Sequence, residues 1–325
     1  VRTVLFFLQE ISYGIDIKMV DISIDLGFLK LKNPVIAASG TFGYGFEFSP
    51  FIDLNQIGGF VVKGLYLSPK QGNPPPRLAE TACGLMNSIG LQGIGVERFS
   101  KEVLPQLKAL RSAVIINICG DSNEEYARIA EYLDKYKEIS AYELNISCPN
   151  VKKGGICPAQ NPDDTYEIVK LVKKSCSTPV ITKLSPNVTD ISEIALSAEE
   201  GGSDAVSLVN TFLAMGIDPE TRKPKLGNVF GGLSGPAIKP IALRMVYQAA
   251  NAVQIPVIGI GGISSGRDAI EFIIAGAKAV QVGTANFTAP DSTLKIIDEI
   301  TAFCKEKKIK RLQDLSGTVD FNPQM

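Results

Sequence analysis

The sequence predicts an α/β fold: a single (β/α)8 (TIM) barrel with an N-terminal β-hairpin and long loops over its C-terminal face. Three observations carry this. Eight short apolar runs recur along the chain. Most are nearly continuous in Val, Ile, Leu and Ala, as strands covered on both faces must be. Helix-start signals follow several of them. No composition break divides the 325 residues, a length near the upper limit for one core. An open doubly wound sheet is the competing arrangement; eight strand–helix units in one chain favour closure.

The elements follow in order. Residues 1–18 fall outside the pattern and are expected to be an extension outside the fold, with one domain over 19–325. Thr3–Leu8 is apolar but ends at Gln9 and Glu10, too short to span a bilayer. A weak membrane or partner contact through Leu5-Phe6-Phe7-Leu8 is the alternative. Val20, Ile22, Ile24 and Leu26 then alternate with polar residues, Gly27 breaks the run, and Leu29 and Leu31 resume it. That pattern predicts a hairpin with one buried face. The eight predicted strands are Val35–Ser39, Gly59–Lys63, Ala113–Ile118, Ala141–Ile146, Pro179–Leu184, Asp204–Val209, Pro256–Ile260 and Lys278–Gly283. Between them, Asn161-Pro162-Asp163 reads as an N-cap with proline at the first helical position. Ser265-Gly266-Arg267-Asp268 resembles a capping box, and Pro240 opens a further helix. Two long connections, Tyr66–Val96 and Ala214–Gly235, carry Pro74-Pro75-Pro76 and Gly231-Gly232. Loops of that length in a compact domain are usually functional covers.

Composition narrows the function classes. The formal net charge is −1, without a basic block, which argues against nucleic acid as a partner. The chain has no histidine, and none of its six cysteines form a Cys-x-x-Cys pair, so neither a zinc site nor an iron–sulfur cluster on this chain alone is expected. Scattered cysteines suggest reduced thiols and a cytoplasmic protein.

The residues just past each predicted strand are Ser39 and Gly40; Lys63 and Gly64; Asn117; Asn145 and Cys148; Lys183; Asn210 and Thr211; Gly261 and Gly262; Gly283 and Thr284. In a barrel these share the C-terminal rim, where such enzymes place their sites. Gly261, Gly262, Gly283 and Thr284, with the helix starting near Ser265, suit a phosphate. Taken singly, the glycines read equally well as tight turns. Gly259-x-Gly261-x-x-Ser264 lacks the third glycine of a dinucleotide fingerprint. Lys63 and Lys183 finish apolar strands. Each is either a lysine reaching to the rim or a charge stabilising a reduced, anionic cofactor and a substrate carboxylate. Asn87, Asn145, Asn150 and Asn210 offer donors and acceptors together, as a ring with alternating N–H and C=O groups requires. Cys148 sits between Ser147 and Pro149 after an apolar run, with no histidine to compete with it. It suits proton abstraction from a small polar ring. A free thiol of pKa about 8.5 would then need mildly basic conditions.

Read together, these stretches resemble class 1 dihydroorotate dehydrogenases, most closely the class 1B catalytic subunit. The segments that carry the resemblance are Asn33-Pro34-Val35 through Ala38-Ser39-Gly40-Thr41-Phe42-Gly43; Asn87-Ser88-Ile89-Gly90-Leu91-Gln92; Glu143-Leu144-Asn145-Ile146-Ser147-Cys148-Pro149-Asn150; Lys183-Leu184-Ser185-Pro186-Asn187; Val209-Asn210-Thr211; and Gly231-Gly232-Leu233-Ser234-Gly235-Pro236. The resemblance covers nearly the whole chain from Met19. It implies an FMN-binding barrel that oxidises (S)-dihydroorotate to orotate in pyrimidine (UMP) synthesis. FMN would lie on Ser39, Lys63, Gly64, Asn117, Asn145, Lys183, Val209 and Gly235, its phosphate on Gly261, Gly262, Gly283 and Thr284. Substrate would contact Lys63, Asn87, Ser88, Ile89, Gly90, Leu91, Asn145, Asn210 and Thr211, and Cys148 would be the base. A second subunit carrying FAD and a [2Fe–2S] cluster would pass electrons to NAD+, around a homodimer core within a heterotetramer. The sequence departs from the family at Gly93-Ile94 and at Ile156-Cys157-Pro158-Ala159, which bears on the lid and the partner surface. Alternatives are a fumarate-dependent class 1A-type homodimer, a relative reducing uracil-type rings, or a phosphate-binding barrel of another activity.

Overall fold

A computed structural model of the chain describes residues 20–147 and 158–320. Eight parallel strands close into one barrel: β1 Val35–Ala37, β2 Gly59–Val61, β3 Ala113–Ile118, β4 Ala141–Asn145, β5 Val180–Lys183, β6 Ala205–Leu208, β7 Val257–Ile260 and β8 Ala279–Val282. Each pairs with its neighbour in sequence, and β8 closes on β1 through Val280–Val35, Gln281–Ile36 and Val282–Ala37. Every residue in these strands is buried, which is why each reads as a continuous apolar run instead of an alternating one. All eight predicted runs contain their strand.

Helices α1 Asn123–Leu133, α2 Pro162–Ser175, α3 Ile191–Glu200, α4 Lys239–Ala252, α5 Gly266–Ile274 and α6 Ser292–Glu306 surround the barrel. Their starts follow side-chain chemistry. The Asn161 side chain accepts from the Asp164 N–H, and Ser265 and Asp268 form the expected capping box. The β2–β3 connection ends in a helical segment, Val96–Leu107, that includes a π turn at Phe99–Val103. The first connection differs from a strand–helix unit: two 3-10 turns, Phe46–Phe48 and Leu54–Gln56, join β1 to β2, and α6 packs back against β1. The predicted hairpin is present but short, Ile24–Asp25 against Lys30–Leu31. It turns at Gly27 and buries Ile24, Leu26 and Leu31.

The two long connections are more ordered than their sequence suggests. Leu78–Thr81 and Gly84–Asn87 from the first join Phe212–Met215 and Phe230–Ser234 from the second in a four-stranded antiparallel sheet. Since these segments leave the C-terminal ends of β2 and β6, the sheet covers that mouth. No helix among the described residues is long and apolar enough to cross a membrane. The expected extension, residues 1–18, and the segment Cys148–Cys157 lie outside the described residues.

Candidate active site at the barrel mouth

Asn145 and Lys183 are the last residues of β4 and β5 and register partners across those strands. From them a chain of carboxamides crosses the mouth. Asn145 Nδ2 donates to Asn117 Oδ1 at 3.3 Å, and Asn210 Nδ2 donates to Asn145 Oδ1 at 3.3 Å. The Thr211 N–H donates to Asn210 Oδ1 at 2.9 Å. Gly232 lies so close that a Cβ there would meet the Thr211 side chain, and its carbonyl accepts from Asn87 Nδ2 at 3.2 Å. Asn117, Asn145, Asn210, Thr211 and Asn87 are therefore one connected set, although 123 positions separate Asn87 from Asn210. The Asn87–Leu91 loop is fixed by Asn73, whose N–H donates to the Ile89 carbonyl and whose side chain donates to the Ser88 carbonyl. Gly90 and Leu91 both adopt positive φ, 73° and 52°.

The lysines differ. Lys183 is buried, and its Nζ lies 3.6 Å from Glu143 Oε1, so a carboxylate of the chain itself receives it. Lys63 has no salt bridge among the described residues. Burial holds its ammonium below the ordinary lysine range; Arg77 adds to this and Glu47 opposes it. A half-buried cation without a partner is a site for an anion. Beside it, Ser39 Oγ donates to the Val62 carbonyl at 2.8 Å, and a Cβ at Gly64 would meet Cys119 Sγ and Asn117 Oδ1.

The glycines also converge. A Cβ on Gly262 would sit 2.8 Å from the Gly235 carbonyl, and Thr284 Oγ1 donates to Ser234 Oγ at 2.8 Å. Gly261 packs against Ala242 and within reach of the buried Val209, while Gly283 faces Ala38 and Thr41. The N–H groups of Ser264 and Ser265 at the start of α5 both donate to Asp268 Oδ2 at 2.9 Å, as part of that helix's capping box.

Sequence reasoning missed the buried groups beneath this rim. Glu143, Ser207 and Gln281 are completely buried inside the barrel. The signal was a glutamate within Ala-Tyr-Glu-Leu and a glutamine within Ala-Val-Gln-Val, polar residues in runs otherwise apolar. Cys148 and Asn150 lie outside the described residues; Ser147, just before them, donates through Oγ to the Lys183 carbonyl at 3.2 Å.

Fold and site define a (β/α)8 barrel whose polar side chains and glycines gather at the C-terminal mouth. The chain belongs to the dihydroorotate dehydrogenase family, an oxidoreductase family whose model matches residues 23–304. It is 54% identical to the catalytic subunit of dihydroorotate dehydrogenase B (NAD(+)) of Thermoanaerobacter sp. (strain X514), over 92% of this chain and 99% of that one. It is 53% identical to a protein of Solibacter usitatus provisionally named dihydroorotate dehydrogenase A (fumarate), over 90% of this chain and 96% of the other. Among solved structures, a dihydroorotate dehydrogenase of Eimeria tenella in complex with ferulenol superposes with a TM-score of 0.76 at 22% identity, covering 92% of this chain and 88% of that one. That likeness shows the fold.

Proposed function

We propose that the chain oxidises (S)-dihydroorotate to orotate for pyrimidine synthesis, in the cytoplasm, with FMN at the barrel mouth. The observation that carries this reading is the connected set Asn87–Thr211–Asn210–Asn145–Asn117 beside two lysines. It presents donors and acceptors to a polar ring and cations to its carboxylate. The donor set fits FMN. Among the described residues Lys63 has no salt-bridge partner, so an anion would be received there, and Gly262 lies against the Gly235 carbonyl with Thr284 bonded to the neighbouring Ser234, a small-residue cradle suited to a phosphate. Ser39, Lys63, Gly64, Asn117, Asn145, Lys183, Val209 and Gly235 would hold the ring and ribityl chain, and Gly261, Gly262, Gly283 and Thr284 the phosphate.

FMN held by these residues would supply a two-electron acceptor for the oxidation of the substrate. Cys148, as thiolate, takes the C5 proton. Lys63 and the Asn87–Leu91 loop orient the substrate carboxylate and ring, with Asn145, Asn210 and Thr211 holding the ring's amide edges. The cover sheet restricts water at the mouth.

The relatives' name "dihydroorotate dehydrogenase B (NAD(+)), catalytic subunit" supports a second protein linked to NAD+; that this protein carries FAD and a [2Fe–2S] cluster is what the resemblance to class 1B implies. Two copies of the chain would form the core of that heterotetramer. Leu213, Met215 and Phe230 are exposed on the cover sheet, and Phe212–Met215 is an edge strand, an apolar face suited to a second copy. A solution mass of one copy at micromolar concentration excludes that pairing.

The test of the chemistry is optical. The purified chain should be yellow, and anaerobic dihydroorotate should bleach it. Cys148→Ala should stay yellow and bleach about 10²–10⁴-fold more slowly, as loss of a general base predicts. Rapid bleaching in the variant removes Cys148 as base, and a colourless wild type removes FMN.

A further inference from the structure

The carboxylate of Glu143 is completely buried inside the barrel and is met by four polar side chains. Its Oε1 accepts from Asn117 Nδ2 at 2.8 Å and faces Lys183 Nζ at 3.6 Å. Its Oε2 accepts from Ser207 Oγ at 3.0 Å and Gln281 Nε2 at 2.6 Å. Those partners come from β3, β5, β6 and β8, and Glu143 itself lies on β4. Every neighbour donates, which is the environment of an ionised carboxylate, since that group can only accept.

The arrangement has a cost that packing alone does not explain. Gln281 turns its amide nitrogen to Glu143 and leaves its own Oε1 buried without a hydrogen-bond partner among the described residues. An unmatched buried acceptor is unfavourable. Apolar side chains would fill a barrel interior more cheaply than a buried ion pair. The cluster is also placed where it matters: Lys183 ends β5 beside Asn145, and Asn117 joins Glu143 to the carboxamide chain of the mouth. At 3.6 Å the ion pair is too long to engage the ammonium as a full hydrogen bond, so Lys183 keeps donors for the mouth.

We infer that Glu143 is a positioning residue: it anchors Lys183 at the mouth and offsets part of its positive charge. This role rests on the flavin reading above. A cation beside a flavin favours the reduced, negatively charged form and so raises its reduction potential; a buried carboxylate behind that cation lowers it. Glu143 thereby keeps the electrons available to leave the site after substrate oxidation. Asn117, Ser207 and Gln281 spread the carboxylate's charge and limit how far it neutralises Lys183.

The experiment is the midpoint potential of the holoprotein, measured against reference dyes in the absence of substrate. Glu143→Gln removes the negative charge at nearly constant volume. It should move the potential upward by at least a tenfold change in the two-electron equilibrium, about 30 mV. A merely structural role would leave the potential of a folded, yellow variant where it is, and that result overturns the inference. Should Glu143→Gln fail to fold, Ser207→Ala decides: it keeps the carboxylate, removes one donor, and should move the potential downward, while an unmoved potential overturns the role. A colourless wild type would defeat the flavin reading and this role with it; a yellow wild type with unmoved variants defeats the role of Glu143 alone.

Discussion

Gly262 and Gly283, both proposed to hold the FMN phosphate, stand under different constraints. Gly262 has φ 71°, and a Cβ there would meet the Gly235 carbonyl at 2.8 Å and the Lys239 backbone nitrogen at 2.9 Å. Neither backbone atom can swing away. Gly262→Ala should therefore cost about 1–3 kcal/mol of stability as well as FMN binding. At Gly283 φ lies outside the left-handed region, and an added Cβ would make only ordinary contacts, 3.7 Å to Ala38 and 3.8 Å to Thr41. Gly283→Ala should change stability by no more than about 0.5 kcal/mol. It should still weaken FMN binding on the order of tenfold, because the methyl group projects where the phosphate would approach its N–H. Fluorescence titration of apoprotein with FMN, beside urea unfolding, separates the two effects. Equal loss of stability in both variants would mean that Gly283 is a packing residue and not part of the cradle.

Asp134 works at the scale of the elements, tying the end of α1 to the turn that leads into β5 and so to Lys183. Burial pushes its carboxyl up, but hydrogen bonds from the N–H and hydroxyl groups of Ser177 and Thr178 outweigh this and hold it at about 2, below the ordinary 3.8. The folded value is depressed, so the stability it contributes is fully present above 3.8 and is lost as pH falls toward 2. Allowing for solvent screening, Asp134→Ala should cost on the order of 1 kcal/mol at neutral pH. The gap from wild type should close as pH falls from 4 toward 2, as read by urea midpoints at each pH; a gap that is flat with pH would mean the loss is packing and not charge. The same scale explains what was legible in the sequence. Barrel strands, buried on both faces, announce themselves as apolar runs, and their ends locate Ser39, Lys63, Asn145 and Lys183. The cover strands do not. Leu78–Thr81 exposes its leucine along with Glu80 and half-buries Ala79 and Thr81, so its sequence does not alternate apolar with polar, and Phe230–Ser234 contains two glycines; neither gives a strand signal. Glu143 was hidden for the opposite reason: one charged residue inside a buried run carries no period, and its donors come from strands up to 138 positions away.

Across the whole molecule, the architecture limits where electrons can go. Among the described residues every parallel strand belongs to the one closed barrel, and the remaining strands are antiparallel. A dinucleotide of the nicotinamide type is ordinarily held by a separate βαβ unit with a glycine-rich turn. The nearest sequence match, Gly259-x-Gly261-x-x-Ser264, starts on β7 and runs past its end, and its Gly261 lies against Ala242 beside the proposed phosphate cradle. The same turn cannot serve both purposes. Under dihydroorotate, the isolated chain should therefore reduce a soluble one- or two-electron dye readily and NAD+ poorly. Adding an FAD- and [2Fe–2S]-bearing subunit should restore NAD+-linked turnover. Steady-state rates with dye, NAD+ and fumarate, with and without that subunit, separate the possibilities. Efficient NAD+ reduction by the chain alone contradicts the two-subunit reading. Rapid fumarate-dependent turnover without a partner would instead align the chain with the fumarate-type name carried by its Solibacter usitatus relative, and the exposed apolar face would then serve a self-sufficient dimer.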